Sequence, residues 1–416
     1  MEVEVVTVGT ELLLGFTVDT NASDIALALA GIGAQVVRHT TVGDAESAIQ
    51  NAVSEALDRT QLVIVTGGLG PTRDDITKRA VANVYHVPLY TDEEYLGLLE
   101  RRFEKVGRAP MPESNRCQAE VPAGGEILPN RRGTAPGLWL EGDRGITIML
   151  PGVPRETRGL IDEEVIPRLM RMRTENDRRV TLSHTLRTTG VSESELADRL
   201  AGLEELLHPV TVAFLPGPAG VDLRLTAWQM SGSRARQALD RAVEQTKPLL
   251  GRHLYGDGDV DLAAAVLELL RAGGMGLAVA ESCTGGELGS RITAIPGCSD
   301  VFLGGVVCYS DRSKMRDLAV PTGLLDTYGA VSEQVAEAML NGVCHRFDVE
   351  AGIAITGVAG PGGGSEEKPV GTVCIAARVG SRSRVLTRWL PGGRRQVRQR
   401  AAQAALDLAR SLVSQD

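Results

Sequence analysis

Leu62-Val63-Ile64-Val65-Thr66-Gly67-Gly68-Leu69-Gly70-Pro71-Thr72-Arg73-Asp74-Asp75 is an apolar run that passes without a break into a glycine turn and then into paired carboxylates. An apolar run this short, bounded by glycine, reads as a buried strand. Working back toward the start, residues 3–9 read as another buried strand. Thr20, Asn21 and Ser23 are candidate N-caps, and Ile25, Ala28, Leu29 and Ile32 follow at helical spacing until Gly31 and Gly33 end the helix. Residues 34–37 form a second strand, and Ile49, Ala52, Val53, Ala56 and Leu57 form a second helical stripe. Strand, helix, strand, helix, strand with short connections predicts a parallel sheet wrapped by helices. In such sheets ligands bind beyond the carboxyl ends of the strands, where Gly67, Gly68 and Gly70 lie.

Glycines after a strand let backbone N–H groups approach a phosphate without interference from Cβ. A helix beginning near Asp74 would set Asp74 and Asp75 beside that nest, where a divalent cation can bridge acidic protein and acidic ligand. Glu11, after the first strand's carboxyl end, can reach the same crevice; Glu156 is a candidate for further metal or water contacts, and Asn115 a candidate polar contact. The plain alternative is a glycine turn with Asp74 or Asp75 serving as a helix cap.

From about residue 170 the texture changes. Residues 182–189 read as a strand, and Ser192 and Glu195 have capping-box spacing. Two period-2 segments, 210–215 and 221–228, flank Pro216-Gly217-Pro218-Ala219-Gly220 as a hairpin. Gly217-Pro218-Ala219-Gly220 has the form of an RNA-binding G-x-x-G loop, but it joins strands and carries no basic residue, so it reads as a hairpin tip. A second α/β unit follows, with strands at 277–280, 301–307, 351–356 and 372–377 and helices at 332–347 and 394–412. The domain boundaries read as 1–170, 171–255 and 256–416.

The strand at 277–280 ends in Glu281-Ser282-Cys283-Thr284-Gly285-Gly286, placing a hydroxyl and a thiol on a strand-to-helix turn. Backbone amides of Thr284, Gly285 and Gly286 are candidate donors for an oxyanion there. An N-cap serine in a glycine turn is the bland alternative. No histidine stands in a suggestive place, and the base that a serine would need is Lys314, in Tyr309-Ser310-Asp311-Arg312-Ser313-Lys314. Thr356 runs into a second glycine loop containing Gly360, Gly362 and Gly363. Cys283 competes with Ser282 as nucleophile, because a thiolate is the stronger one near neutral pH.

Composition bounds these readings. At 416 residues the chain exceeds what one core usually serves. Its 44 Lys+Arg against 53 Asp+Glu leave a net charge of −9, which argues against direct nucleic-acid contact. No apolar stretch is long enough to cross a membrane, and the acidic start is neither a signal nor a transit peptide. Six cysteines with no C-x-x-C pair suit reduced thiols in a cytoplasm and make a Cys/His zinc site unattractive.

The segments Gly9-Thr10-Glu11, Asp19-Thr20-Asn21, the 67–75 loop, Gly133-Thr134-Ala135-Pro136-Gly137 and Leu150-Pro151-Gly152-Val153-Pro154-Arg155-Glu156 occur in an order that resembles the CinA family, the competence/damage-inducible proteins. The resemblance implies an α/β multidomain chain with a MoaB/MogA-like parallel-sheet sandwich, a KH-like α+β middle domain and a carboxy-terminal α/β amidase domain. Leu69 stands where molybdopterin-binding relatives have Thr, which fits the CinA loop. That loop is associated with hydrolysis of ADP-ribose to AMP and ribose 5-phosphate, using a divalent metal (Mg, Mn or Co, with or without K) held by Asp74, Asp75 and Glu11.

From Leu262 onward the chain resembles the nicotinamide-nucleotide amidase PncC. That resemblance makes Ser282 the nucleophile and Lys314 its base, with Tyr309 and Thr356 assisting and no cofactor. Nicotinamide mononucleotide would become nicotinate mononucleotide. The family also implies a homodimer. Two other functions are a molybdopterin-binding protein and a non-catalytic partner of a recombination protein in competence.

Overall fold

Val3 and Val5 of the first strand are buried in one apolar cluster, and Val6 and Val8 in another. A strand buried on both faces belongs to a parallel sheet covered by helices on each side. The computed structural model describes residues 1–172 and 179–413. These divide into two units, Met1–Leu182 with Ala227–Gln237 and Ser183–Thr226 with Ala238–Asp416.

In the first unit the strands are β1 (Glu2–Val8), β2 (Gln35–Val42), β3 (Leu62–Thr66), a small pair β4 (Leu89–Thr91) and β5 (Glu120–Pro122), then β6 (Glu126–Leu128), β7 (Gly137–Gly142) and β8 (Gly145–Leu150). The main sheet runs β2-β1-β3-β8-β7-β6. The β2-β1-β3-β8 part is parallel, and β7 and β6 are antiparallel. Ile25 and Leu29 of the helix Asn21–Gly31 cover one face, and Ile49 and Val53 of Glu46–Thr60 cover the other. The chain leaves β1 for β2 on one side and returns to β3 on the other. The β1/β3 boundary is therefore a topological switch point, with Gly9 and Gly67 at its carboxyl end.

One boundary differs from the sequence reading. The helix after the glycine loop is Thr77–Val84 and does not begin at Asp74. Thr77 is anchored on the loop itself: its N–H donates to the Gly68 carbonyl at 3.2 Å and its hydroxyl to the Gly67 carbonyl at 2.8 Å. Asp74 and Asp75 belong to the preceding turn, so neither is the helix cap.

In the middle of the chain β9 (Arg179–Thr188), β10 (Val210–Gly217), β11 (Gly220–Ser231) and β12 (Leu254–Asp257) make a sheet in the order β10-β11-β9-β12. The Ser192/Glu195 capping box is formed at the helix Glu193–Arg199. Residues 217–220 are the tip between β10 and β11.

The second unit carries β13 (Leu277–Glu281), β14 (Phe302–Val307), β15 (Ala351–Gly357), β16 (Thr372–Val379) and β17 (Arg382–Trp389) in the order β14-β13-β15-β16-β17. Helices Leu262–Ala272 and Arg394–Val413 pack on one face, and Glu333–Phe347 and Asp311–Leu318 on the other. β13 lies between its parallel neighbours β14 and β15, a second switch point, and Ser282 leaves from it. Among the described residues no helix is long and apolar enough to cross a membrane.

Candidate functional sites

Beyond β1 and β3 lies a cleft of about 390 Å³. Backbone geometry dictates its glycines. Gly67 has φ +105° and a Cβ there would sit 2.1 Å from the Val8 carbonyl oxygen; Gly68 has φ +66° and would meet the Thr77 hydroxyl at 2.3 Å. Two further glycines make room for carboxylates. A Cβ on Gly70 would lie 2.5 Å from Asp75 Oδ2, and one on Gly133 would lie 2.1 Å from Glu156 Oε2.

Three of the acidic side chains are held in place by hydrogen bonds. Asp75 Oδ2 accepts from the Thr72 amide at 2.8 Å and the Thr72 hydroxyl at 2.5 Å. Glu156 Oε2 accepts from Asn130 Nδ2 at 2.6 Å, while burial pushes its carboxyl above the usual glutamate range. Asp44 Oδ2 accepts from the Thr10 amide at 2.8 Å. Glu11, Asp44, Asp74, Asp75 and Glu156 all line the cleft, and no Lys, Arg or His does among the described residues. Among those residues, no three His, Cys, Asp or Glu side chains converge closely enough to hold a metal by themselves.

Asn115 does not line this cleft. Its Nδ2 donates to Gln118 Oε1 at 2.9 Å, and Gln118 is the residue that lines it. With Oε1 occupied, Gln118 has its Nε2 donor left for a ligand. Lys78 is a second residue that sequence reasoning missed. It is buried, its Nζ donates to the Cys117 carbonyl, and burial lowers its pKa. This bond ties the helix carrying Lys78 to the 3₁₀ turn Glu113–Ala119 that supplies Gln118. Nothing in local spacing signals either residue.

The second site is built on the end of β13. Ser282 is 7 % exposed; its amide donates to the Ile355 carbonyl, and the Gly285 amide closes a turn onto the Ser282 carbonyl at 3.1 Å. Gly285 and Gly286 follow at φ +59° and +93°, conformations that L side chains rarely adopt. The preceding Glu281, 1 % exposed, reaches over this turn. Its Oε2 accepts from the Gly286 and Leu288 amides at 3.0 and 3.1 Å, and its Oε1 from the Gly289 amide at 2.7 Å.

The oxyanion donors read from sequence are corrected here. The Gly286 amide is spent on Glu281 and the Gly285 amide on Ser282. On this turn the amides of Cys283 and Thr284 remain, neither donating to a backbone carbonyl among the described residues, with the Cys283 amide against its own thiol.

Burial pushes the Cys283 thiol up to about 12, so Cys283 is a neutral thiol near neutral pH and a poor nucleophile. Lys314 is 1 % exposed, and its charge acts on the thiols of both Cys283 and Cys308, pulling against their burial. Its ammonium or amine group is therefore within electrostatic reach of both thiols. Thr356, next to last in β15, follows the Ile355 whose carbonyl holds the Ser282 amide, and its hydroxyl donates to the Ala330 carbonyl at 2.8 Å. Tyr309 is 57 % exposed, and its hydroxyl accepts from Arg394 Nη2 at 2.6 Å. The same guanidinium donates through Nη1 to the Gly360 carbonyl at 2.7 Å, joining Tyr309 to the glycine loop of Gly360, Gly362 and Gly363. One turn further along the last helix, Arg398 Nε donates to the Thr284 carbonyl at 2.8 Å. Arg394 and Arg398 share a helix face by spacing, but only the fold shows that this face meets the site.

Residues 4–171 match the family described as "Probable molybdopterin binding domain", 183–256 the "Damage-inducible protein CinA KH domain" and 259–413 the "CinA C-terminal domain". A CinA-like protein of Gemmatimonas aurantiaca is 50 % identical over 417 residues, covering 100 % of this chain and 97 % of its own. The chain belongs to the CinA family. A CinA-like protein of Desulfovibrio desulfuricans is 42 % identical over 99 % of this chain and 96 % of its own. Among solved structures, the competence/damage inducible protein CihA from Agrobacterium tumefaciens is 38 % identical, covering 36 % of this chain and 93 % of its own at a TM-score of 0.35. The α/β architecture read from sequence, MoaB/MogA-like, then KH-like, then CinA carboxy-terminal, is that of this family.

Proposed function

We propose that this CinA-family chain is a pyridine-nucleotide hydrolase with two sites, a metal-free amidase after β13 and a metal-dependent pyrophosphatase after β3. The amidase reading is supported by a buried serine on the turn after β13, whose neighbouring cysteine is held as a thiol by burial and lies within electrostatic reach of the fully buried Lys314. Ser282 Oγ attacks the carboxamide carbon of nicotinamide mononucleotide as Lys314 Nζ takes its proton. The carbon–nitrogen bond breaks, and that proton leaves on ammonia. Water then cleaves the acyl-enzyme, releasing nicotinate mononucleotide and restoring the serine. Arg394 and Arg398 supply positive charge at the rim for the nucleotide phosphate.

The pyrophosphatase reading rests on the cleft's charge. Five carboxylates and no cation would repel a pyrophosphate, so ADP-ribose can enter only with a counter-cation. The donors are hard oxygens, which suit Mg or Mn. The lack of a convergent ligand triad fits an ion held by one or two carboxylates, with substrate and water completing its shell. One or two of Asp74, Asp75 and Glu11 would hold it, and when bound it would neutralise the pyrophosphate and favour attack by water. The glycine loop lets backbone approach the phosphates, and Gln118 offers an amide donor.

In excess chelator the native chain is expected to release ammonia from nicotinamide mononucleotide while AMP release from ADP-ribose stops. Ser282→Ala should lose only the first activity. Persistent ammonia release in Ser282→Ala would sink the amidase assignment. For the other site, Gly133→Ala would drive a methyl into Glu156 and is expected to lower AMP release by about 10-fold or more, as misplacement of site residues by about 1 Å does. Ammonia release serves as its internal control, and an unchanged AMP rate would remove Glu156 from the site.

A further inference from the structure

Thr284 is fully buried, and its hydroxyl has no hydrogen-bond partner in the protein. A buried donor left unpaired costs stability and calls for a reason. The turn that holds it suggests one. Residues 282–285 form a four-residue turn, with Ser282 at its first corner and Thr284 at its third. The Thr284 carbonyl is fixed by Arg398 Nε, and the strand side is fixed by the Ser282 amide on Ile355. The Thr284 backbone is thus pinned on both sides while its amide and hydroxyl remain unengaged. The neighbouring helix start cannot stabilise an anion, because the Glu281 carboxylate already fills it.

We infer that the Thr284 hydroxyl is a catalytic residue of the amidase, donating with the amides of Cys283 and Thr284 to the tetrahedral oxyanion formed on Ser282. The inference rests on the amidase reading above. The hydroxyl is unpaired in the resting protein because its acceptor exists only once the carboxamide oxygen has moved out of plane and gained charge. Such a donor costs the folded chain stability and repays it only in the transition state.

That arrangement has a signature that a structural threonine lacks. Thr284→Val keeps the shape and deletes the hydroxyl. It is expected to lower kcat for ammonia release by about 10²-fold or more, leave KM within a few-fold, and raise Tm by about 2–4 °C or leave it unchanged. Thr284→Ser should recover most of kcat. Binding of the nucleotide of pyridine-3-carboxaldehyde, whose adduct with Ser282 is tetrahedral, should weaken in Thr284→Val in proportion to kcat, while binding of nicotinate mononucleotide stays constant.

An unchanged kcat in folded Thr284→Val overturns the inference, as does a joint fall in kcat and Tm that Thr284→Ser does not repair. If Thr284→Val does not fold, the orphan-hydroxyl argument is itself wrong. Absence of ammonia release from the native chain overturns the amidase reading and this inference together. Release from the native chain and none from Ser282→Ala keeps the two questions separate.

Discussion

Replacing Lys314 by Met is expected to lower ammonia release by at least about 10³-fold while leaving the chain as stable as before, or more so. The side chain is 1 % exposed. Its ion-pair partner is Asp311, with Oδ1 at 3.5 Å, and the Asp311 side chain is itself 57 % exposed. An amine so placed has given up water for one distant, solvated carboxylate, a poor exchange. Met has similar length and no charge, and Asp311, left alone, is still in contact with water. Deleting half of this pair therefore orphans nothing in the interior, unlike the usual break in a buried ion pair. Replacing buried charge by apolar volume is neutral or stabilising by about 1–4 kcal/mol. Removal of a general base costs about 10²–10⁴ in rate, with larger losses where the base also activates a nucleophile. A thermal melt beside a single-turnover ammonia assay reads both quantities. A variant that loses stability and activity in parallel would make Lys314 a structural residue and leave Ser282 without a base.

The parts of this molecule that repeat a pattern were legible before any coordinates. Val3 to Val8 could be read as a buried parallel strand because both faces must be apolar when helices cover both sides of a sheet. The stripes 25–32 and 49–57 could be assigned because helical spacing sorts residues onto one face. The same logic misplaced the helix after Gly70. Paired aspartates look like an N-cap, but Asp75 is engaged with the Thr72 hydroxyl and amide, and Thr77 starts the helix by bonding back to Gly67 and Gly68. That choice depends on where the loop carbonyls lie in space. β7 and β8 form a hairpin closed between Gly142 and Gly145, and the sequence reading named neither strand.

Site residues divide in the same way. Ser282, Asp75 and the glycines announce themselves through strained turns. Glu281 and Gln118 act through partners whose identity is set by tertiary packing. Arg394 lies 85 residues from the tyrosine it holds, and no local pattern encodes that pairing.

Glu281→Ala is expected to produce the largest loss of stability of any single change at the amidase site. The carboxylate accepts three backbone amides, those of Gly286, Leu288 and Gly289, at 2.7–3.1 Å, in a position 1 % exposed to solvent. These are the first donors of the seven-residue helix Glu287–Thr293 and of the turn before it, groups that no intrahelical carbonyl can satisfy. Alanine would leave all three without an acceptor and open a void beneath them. Each orphaned donor costs about 1–3 kcal/mol, so the sum is at least about 3 kcal/mol. For a unit of this size that corresponds to a fall in Tm of about 6 °C or more.

The damage should be local before it is global. Hydrogen exchange at Gly286, Leu288 and Gly289 should accelerate first, because their protection depends on Glu281 and the turn before them is held largely by this carboxylate. Glu281→Gln separates charge from shape. One oxygen survives, but the amide nitrogen presents hydrogens to whichever backbone donors it faces, so an intermediate Tm is expected with ammonia release below that of the native chain. The two oxygens fix both the Gly286 corner and the helix start, and Ser282 takes its direction from the strand and turn they brace. A melting temperature within about 1 °C of native for Glu281→Ala, with protection at those three amides intact, would show that the turn is held by Arg398 and the β15 carbonyl alone.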